Sequence, residues 1–191
     1  MKKIILASGS PRRKKLLEQL GLKFEIKTSN FEEKIEPNLN PHTLVKKQSR
    51  GKAKNVAKLY KNALIIAADT MVYLNGKYIG KPITEKNARN ALQQLSGKKH
   101  LIISGFTIID TLTNKTITKS VETKVYFKKL TLKEIDDYIK TGEPLDKAGA
   151  YGIQEKGAIF VEKIEGDYFN VVGLPIFALV TELKKFDVKI M

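Results

Sequence analysis

The 191-residue chain has no cysteine and no tryptophan, and its only two histidines are His42 and His100. Without cysteine there can be no disulfide, no thiolate zinc site and no cysteine nucleophile, and a reducing, cytoplasmic setting is expected. Two histidines argue against a multi-histidine metal centre. Arginine is scarce: Arg12, Arg13, Arg50 and Arg89 are the only four among 35 basic residues. Long apolar runs are missing too. The run at residues 4–7 falls short of the ~7–15 apolar residues of a signal peptide, and no stretch approaches the ~18 of a membrane span. Neither G-x-G-x-x-G nor G-x-x-x-x-G-K-[ST] occurs, so both common nucleotide-binding motifs are absent. There is no internal repeat and no low-complexity region.

What is present is an ordinary globular share of apolar residues, 42%, beside a formal net charge of +15. Such a chain can bury a core, and its length suits one domain of two small lobes. The basic excess taken alone suggests an anionic partner: nucleic acid, a membrane surface or phosphorylated small molecules. Nearly all of it is lysine in scattered pairs, which reads as a solvated surface. Arginine is the residue suited to bidentate phosphate recognition, so the adjacent pair Arg12-Arg13 stands out.

Strand and helix signals alternate along the chain. Residues 3–7 form an apolar strand. Ser10-Pro11 then supplies an N-cap and a first-turn proline for a helix that Gly21 stops. Residues 24–28 alternate like a strand. Asn40-Pro41 opens a long helix reaching about Tyr60. Residues 63–74 form a central strand, and Asn75-Gly76 turns it back into residues 77–79. Thr84 caps a helix to about Leu95, ended by Gly97. Residues 100–112 and 115–127 are two long strands joined near Thr113-Asn114. Thr131 and Glu134 form a capping box for a helix to Lys140. Residues 157–164 read as a strand, residues 170–175 as a turn, and residues 176–185 as the last helix. The predicted fold class is α/β: a two-lobed mixed sheet flanked by helices with a central cleft, not a regular doubly wound sheet.

Four segments carry possible chemistry. In Leu6-Ala7-Ser8-Gly9-Ser10-Pro11-Arg12-Arg13 a strand ends in small residues at a helix N-terminus, with two hydroxyls and two arginines within a turn. That suits a polyphosphate, and it equally suits an ordinary capped turn. Asp69 lies inside an apolar strand, where a carboxylate binds metal, takes a proton or meets a cation; a simple lysine pair is the plain alternative. Lys81, between Gly80 and Pro82, has a defined direction or is a surface lysine. Phe31-Glu32-Glu33 offers a second carboxylate for a hard cation such as Mg²⁺, or is a solvated acidic loop. The block from Asp146 to Gln154 is rich in glycine and alanine, and the Gln154 amide suits a base edge.

These blocks, with Ala68-Asp69-Thr70, Gly80-Lys81-Pro82, Ser96-Gly97 with His100, and Asn170 to Pro175 in order, resemble the Maf family, the septum-formation-related nucleoside triphosphate pyrophosphatases. The resemblance spans nearly the whole chain as one domain over residues 1–191. It implies the fold of the inosine triphosphate pyrophosphatases, hydrolysis of nucleotides to the monophosphate and pyrophosphate, a divalent cation (Mg²⁺ or Mn²⁺) and a homodimer. Asp69 matches the catalytic aspartate, and Glu33 with Asp69 the metal carboxylates. Lys52 and Lys81 match substrate-facing lysines. Ser8, Arg12 and Arg13 match the phosphate loop, while Arg13, Thr70 and Gln154 match positions tied to substrate choice. Thr70 resembles the dTTP/UTP-hydrolysing subfamily rather than the 7-methyl-GTP subfamily. Two departures are Ser104-Gly105-Phe106, where Thr-Gly-Val is commoner, and Gln154-Glu155-Lys156-Gly157, where glycine usually comes sooner. The competing class, a basic nucleic-acid-binding regulator of division, lacks an aromatic-basic interleaved motif to support it.

Overall fold

In the computed structural model, which describes residues 2–190, the apolar run around Asp69 forms the central strand β3 (Ala63–Leu74). Two strands lie to one side of it: β1 (Lys3–Leu6) pairs in parallel with β3 and, in parallel again, with β2 (Glu25–Ile26). Asn75 and Gly76, at φ 48° and 82°, make the turn that only such residues accommodate readily, and β4 (Lys77–Ile79) returns antiparallel to the end of β3. With β5 (Lys99–Asp110), β6 (Thr116–Phe127) and β7 (Val161–Glu165) they form a seven-stranded mixed sheet in the order β2-β1-β3-β5-β6-β7, with β4 on β3. The helices are α1 (Pro11–Gln19), α2 (Pro41–Ala57), α3 (Glu85–Leu95), α4 (Leu132–Ile139), α5 (Tyr168–Val172) and α6 (Ile176–Leu183).

The expected caps are in place. Ser10 accepts from Arg13 N, Asn40 from His42 N and Thr84 from Asn87 N, while Thr131 and Glu134 close both arms of their capping box. The chain divides into two compact units, one of Met1–Thr70, Ser104–Val121 and Gly173–Met191, the other of Met71–Ile103 and Glu122–Val172. In the first, Ala53 and Val56 of α2 pack with Ile5, Ile65 and Ile109 of the sheet. In the second, Leu92 and Leu95 of α3 and Ile135 and Tyr138 of α4 share a core with Phe127 and Phe160, and Arg89 pairs with Asp136 across the two helices.

Three sequence expectations change. The strand expected at 24–28 is only Glu25–Ile26, because its partner β1 ends at Leu6, opposite Ile26; beyond it Ser29 and Asn30 bond to Asn55 of α2. The strand expected at 157–164 begins as a 3₁₀ turn (Lys156–Phe160). There Glu143 accepts from the amides of Lys156 and Gly157, and a Cβ on Gly157 would lie 2.7 Å from Tyr138 Oη. The turn expected at 170–175 starts as the end of α5 (Tyr168–Val172), held by the fully buried Asn170, whose amide donates to Ile102 O at 3.0 Å and Thr123 Oγ1 at 2.9 Å.

His100 belongs to the second unit's core. It is 2% exposed, edge-on to Phe127 and Tyr151, with Nε2 2.9 Å from Tyr151 Oη. Burial pulls its pKa down to about 4, against a smaller opposing contribution from the Lys98 backbone. The folded protein therefore binds fewer protons than the unfolded chain between pH ~4 and ~6.5, so stability falls as pH drops through that window, by up to roughly 3 kcal/mol. Urea denaturation at intervals from pH 7 to 4.5 should show this slope, and His100→Gln should flatten it. An unchanged slope in the variant would assign the acid sensitivity elsewhere.

Candidate active site

The first unit gathers most of the residues singled out in the sequence. Asp69 sits on β3 with only 3% of its surface exposed. A charge so placed requires a partner, and α2 supplies one: Lys52, 8% exposed, lies within the helix, twelve residues after its Asn40 cap. Its ammonium is 2.7 Å from Asp69 Oδ1 and 2.7 Å from Glu33 Oε1. Lys52 thus stands between two carboxylates and offsets their repulsion. Asp69 Oδ2 is buried and has no hydrogen-bond partner. Glu33 is half exposed, so the cluster has a dry end and a wet end.

Beside it the turn after β1 feeds α1. Ser8 Oγ accepts from Ser10 N at 3.2 Å and from Arg13 Nη1 at 3.2 Å. Arg13 Nε donates to Gly173 O at 2.9 Å, and Nη2 to Thr70 Oγ1 at 3.1 Å. Thr70 Oγ1 lies 2.8 Å from Ser104 Oγ and 3.2 Å from Gly173 O. Arg13 and Thr70, both expected near the substrate, therefore form one interlocked group. Burial lowers the pKa of Arg13, and the negative charges of Asp69 and Glu33 oppose the shift. A guanidinium has about five N–H donors and stays charged, so Arg13 keeps capacity for an anion after these contacts. Arg12, the preceding residue at the same helix start, is half-buried.

Lys81 and Gln154 belong to the second unit, both exposed. Their two blocks are tied together there: Gly149 N donates to Gly80 O at 3.2 Å, and Ile83 N to Leu145 O at 3.3 Å. Gly149, at φ 73°, also lies against Val72, with room for no side chain. The sequence reading missed Lys147 in this block. It is buried, with its ammonium 2.8 Å from Glu143 O, 2.9 Å from Asp146 and 3.2 Å from Glu155. Lys52 and Lys147 are the only buried lysines among the described residues. Ser104, noted in the sequence only within a departure from the family pattern, and Gly173, within a block read as a turn, complete the Arg13–Thr70 group.

Among the described residues, no group of three or more His, Cys, Asp or Glu is placed to hold a metal, so a dedicated protein cage is not the arrangement here. Two hard carboxylates, one with a buried oxygen unspent, do suit a divalent cation that completes its shell with water and phosphate oxygens. A carboxylate oxygen carries two lone pairs, and no protein donor engages those of Asp69 Oδ2.

Comparison with known proteins adds the following. The model of the family described as Maf-like protein matches residues 3–186. A Methanosarcina barkeri protein named dTTP/UTP pyrophosphatase is 49% identical over 191 residues, covering 100% of this chain and 97% of its own. A Bacillus cereus protein of the same name is 50% identical over 190 residues, covering 100% of this chain and 98% of its own. Among solved structures, the Staphylococcus aureus Ham1 protein aligns with 66% of this chain and 72% of its own at 14% identity, with a TM-score of 0.46.

Proposed function

The chain belongs to the Maf family, and we propose that it hydrolyses dTTP and UTP to the nucleoside monophosphate and pyrophosphate. Full-length relatives at about half identity bear that activity in their names. The observation that carries the chemistry is the buried Asp69, held through one oxygen by Lys52 and left with the other unpartnered. Water attacks the α-phosphorus, the bond from that phosphorus to the α–β bridging oxygen breaks, and pyrophosphate leaves with the bond's electron pair. Asp69 Oδ2 accepts the water's proton. Lys52 fixes Asp69 from the opposite side, and Arg12, Arg13 and the α1 N-terminus offset phosphate charge. Lys81 and Gln154 act on the phosphates and base. Glu33 and Asp69 would hold Mg²⁺ or Mn²⁺, whose charge would polarise the phosphoryl oxygens.

A panel of nucleoside triphosphates that includes 7-methyl-GTP, assayed for pyrophosphate release with and without Mg²⁺ or Mn²⁺, tests this reading. Pyrophosphate should appear fastest from UTP and dTTP, and only with the cation. Preference for 7-methyl-GTP, or release of orthophosphate in place of pyrophosphate, would reject it. The homodimer rests on the family resemblance, and light scattering should return about twice the 21.5 kDa chain mass. A cytoplasmic location accords with the cysteine-free sequence. No described helix is long and apolar enough to cross a membrane.

A further inference from the structure

Residues 27–36 form neither helix nor strand, yet Glu33 within them carries a carboxylate 2.7 Å from the Lys52 ammonium. An irregular, largely exposed segment positions a side chain poorly unless something holds it. What holds it is one face of α2. Asn55 Oδ1 accepts from Ser29 Oγ and from Asn30 N, both at 3.1 Å. One turn earlier, the Phe31 ring covers Gly51 so closely that a Cβ there would lie 2.3 Å from Phe31 Cζ. Lys52 meets Glu33 next, and Gln48 Nε2 donates to Lys34 O at 2.6 Å. Lys47 closes the series on Glu36 at 2.6 Å. Positions on the helix run from 55 down to 47, with a single one-residue step back from 51 to 52, as those on the segment rise from 29 to 36, and the pairs 55/51, 55/52, 51/48, 51/47 and 52/48 stand three or four residues apart. The segment is a strap in antiparallel register along a single helix face.

Two of these contacts run against what α2 alone would favour. Gln48 is 2% exposed, and its Oε1 has no hydrogen-bond partner, a cost that a buried amide bears where its other end is needed. Gly51 stands inside the helix, where alanine is the better helix former. The missing methyl is the seat of the Phe31 ring.

We propose that Gln48, Gly51 and Asn55 are positioning residues for hydrolysis: they lock the strap in register on α2, and the strap delivers the Glu33 carboxylate to the Lys52–Asp69 pair. The proposal rests on the reading of Glu33 as a site carboxylate, so its test has one arm independent of activity. Trypsin cleavage after Lys34, followed by mass spectrometry on the full-length protein, reports the strap directly. Gln48→Ala, Asn55→Ala and Gly51→Ala should each speed that cleavage roughly tenfold. Gly51→Ala should do so with an unchanged or raised Tm, and a second change, Phe31→Leu, should restore protection. With UTP, Gln48→Ala should lower kcat roughly tenfold and leave KM within about twofold. It should add nothing in a Glu33→Gln background. Unchanged cleavage in all three variants overturns the proposal. So do multiplying effects of Gln48→Ala and Glu33→Gln, since Gln48 would then act by another route. A loosened strap together with full kcat in Glu33→Gln overturns it through the Glu33 reading alone.

Discussion

Asp69→Asn should lower kcat for UTP by roughly 10²–10⁴-fold, the range lost when a positioned general base is removed, while the far-UV circular dichroism stays that of the parent. The geometry explains both halves. Asparagine keeps an oxygen facing Lys52, which now sits 2.7 Å from Asp69 Oδ1, and Lys52 retains Glu33 as its counter-charge at the same distance. The buried ammonium is therefore not stranded, and the loss of one charged hydrogen bond should cost about 2 kcal/mol, well within what a folded domain tolerates. What asparagine cannot supply is the second oxygen. Oδ2 has no partner in the protein, and in its place the amide presents two donors and no basic lone pair. Water loses its proton acceptor, and a cation loses a ligand. Stopped-time assays of pyrophosphate release, paired with urea denaturation, separate the effects. Parental kcat in a folded Asp69→Asn protein would end the case for Asp69 as the proton acceptor.

How much of this was legible in the sequence depends on the range of the interaction. Local signals were reliable: Ser10, Asn40, Thr84 and Thr131 cap the helices they precede, and Asn75-Gly76 makes its hairpin, because each effect is closed within four residues. Asp69 was conspicuous because a carboxylate in an apolar strand has to be explained. Its partner was not. Lys52 is one lysine among many, and only the fold makes it one of two that are buried among the described residues; the family resemblance, not its spacing, pointed to it. Lys147 had no such pointer within its block. The strap was invisible for the same reason, since its contacts pair residues 11 to 26 positions apart through atoms that ordinary surface residues also carry. Residues 24–28 alternate like a longer strand than they form, because alternation within a segment says nothing about where its partner ends, and β1 ends at Leu6, opposite Ile26.

The largest expected loss of stability is at a residue with no part in the chemistry. Gly105 lies in β5 where α2 crosses the sheet, and a Cβ built there would lie 2.6 Å from both the carbonyl carbon and the oxygen of Val45 and 2.9 Å from Lys46 N. All three atoms are helix backbone, so no rotamer change can relieve the clash; α2 must lift from the strand or β5 must bend. The cores that α2 shares with Ile5, Ile65 and Ile109 would then open. Overpacking of this kind costs about 1–3 kcal/mol and occasionally more, and a rigid backbone contact belongs at the upper end. For a domain of this size, about 3 kcal/mol corresponds to a fall in Tm of roughly 6–12 °C. Gly51→Ala is the built-in control. Its Cβ would come closer still, 2.3 Å, but to the ring of Phe31, a side chain on an irregular strap that can swing away. The closer contact should therefore cost less stability, and a thermal melt of the two variants side by side checks it. If Gly51→Ala proved the more damaging, the strap would be a rigid part of the first unit's core and α2 would have slack against β5.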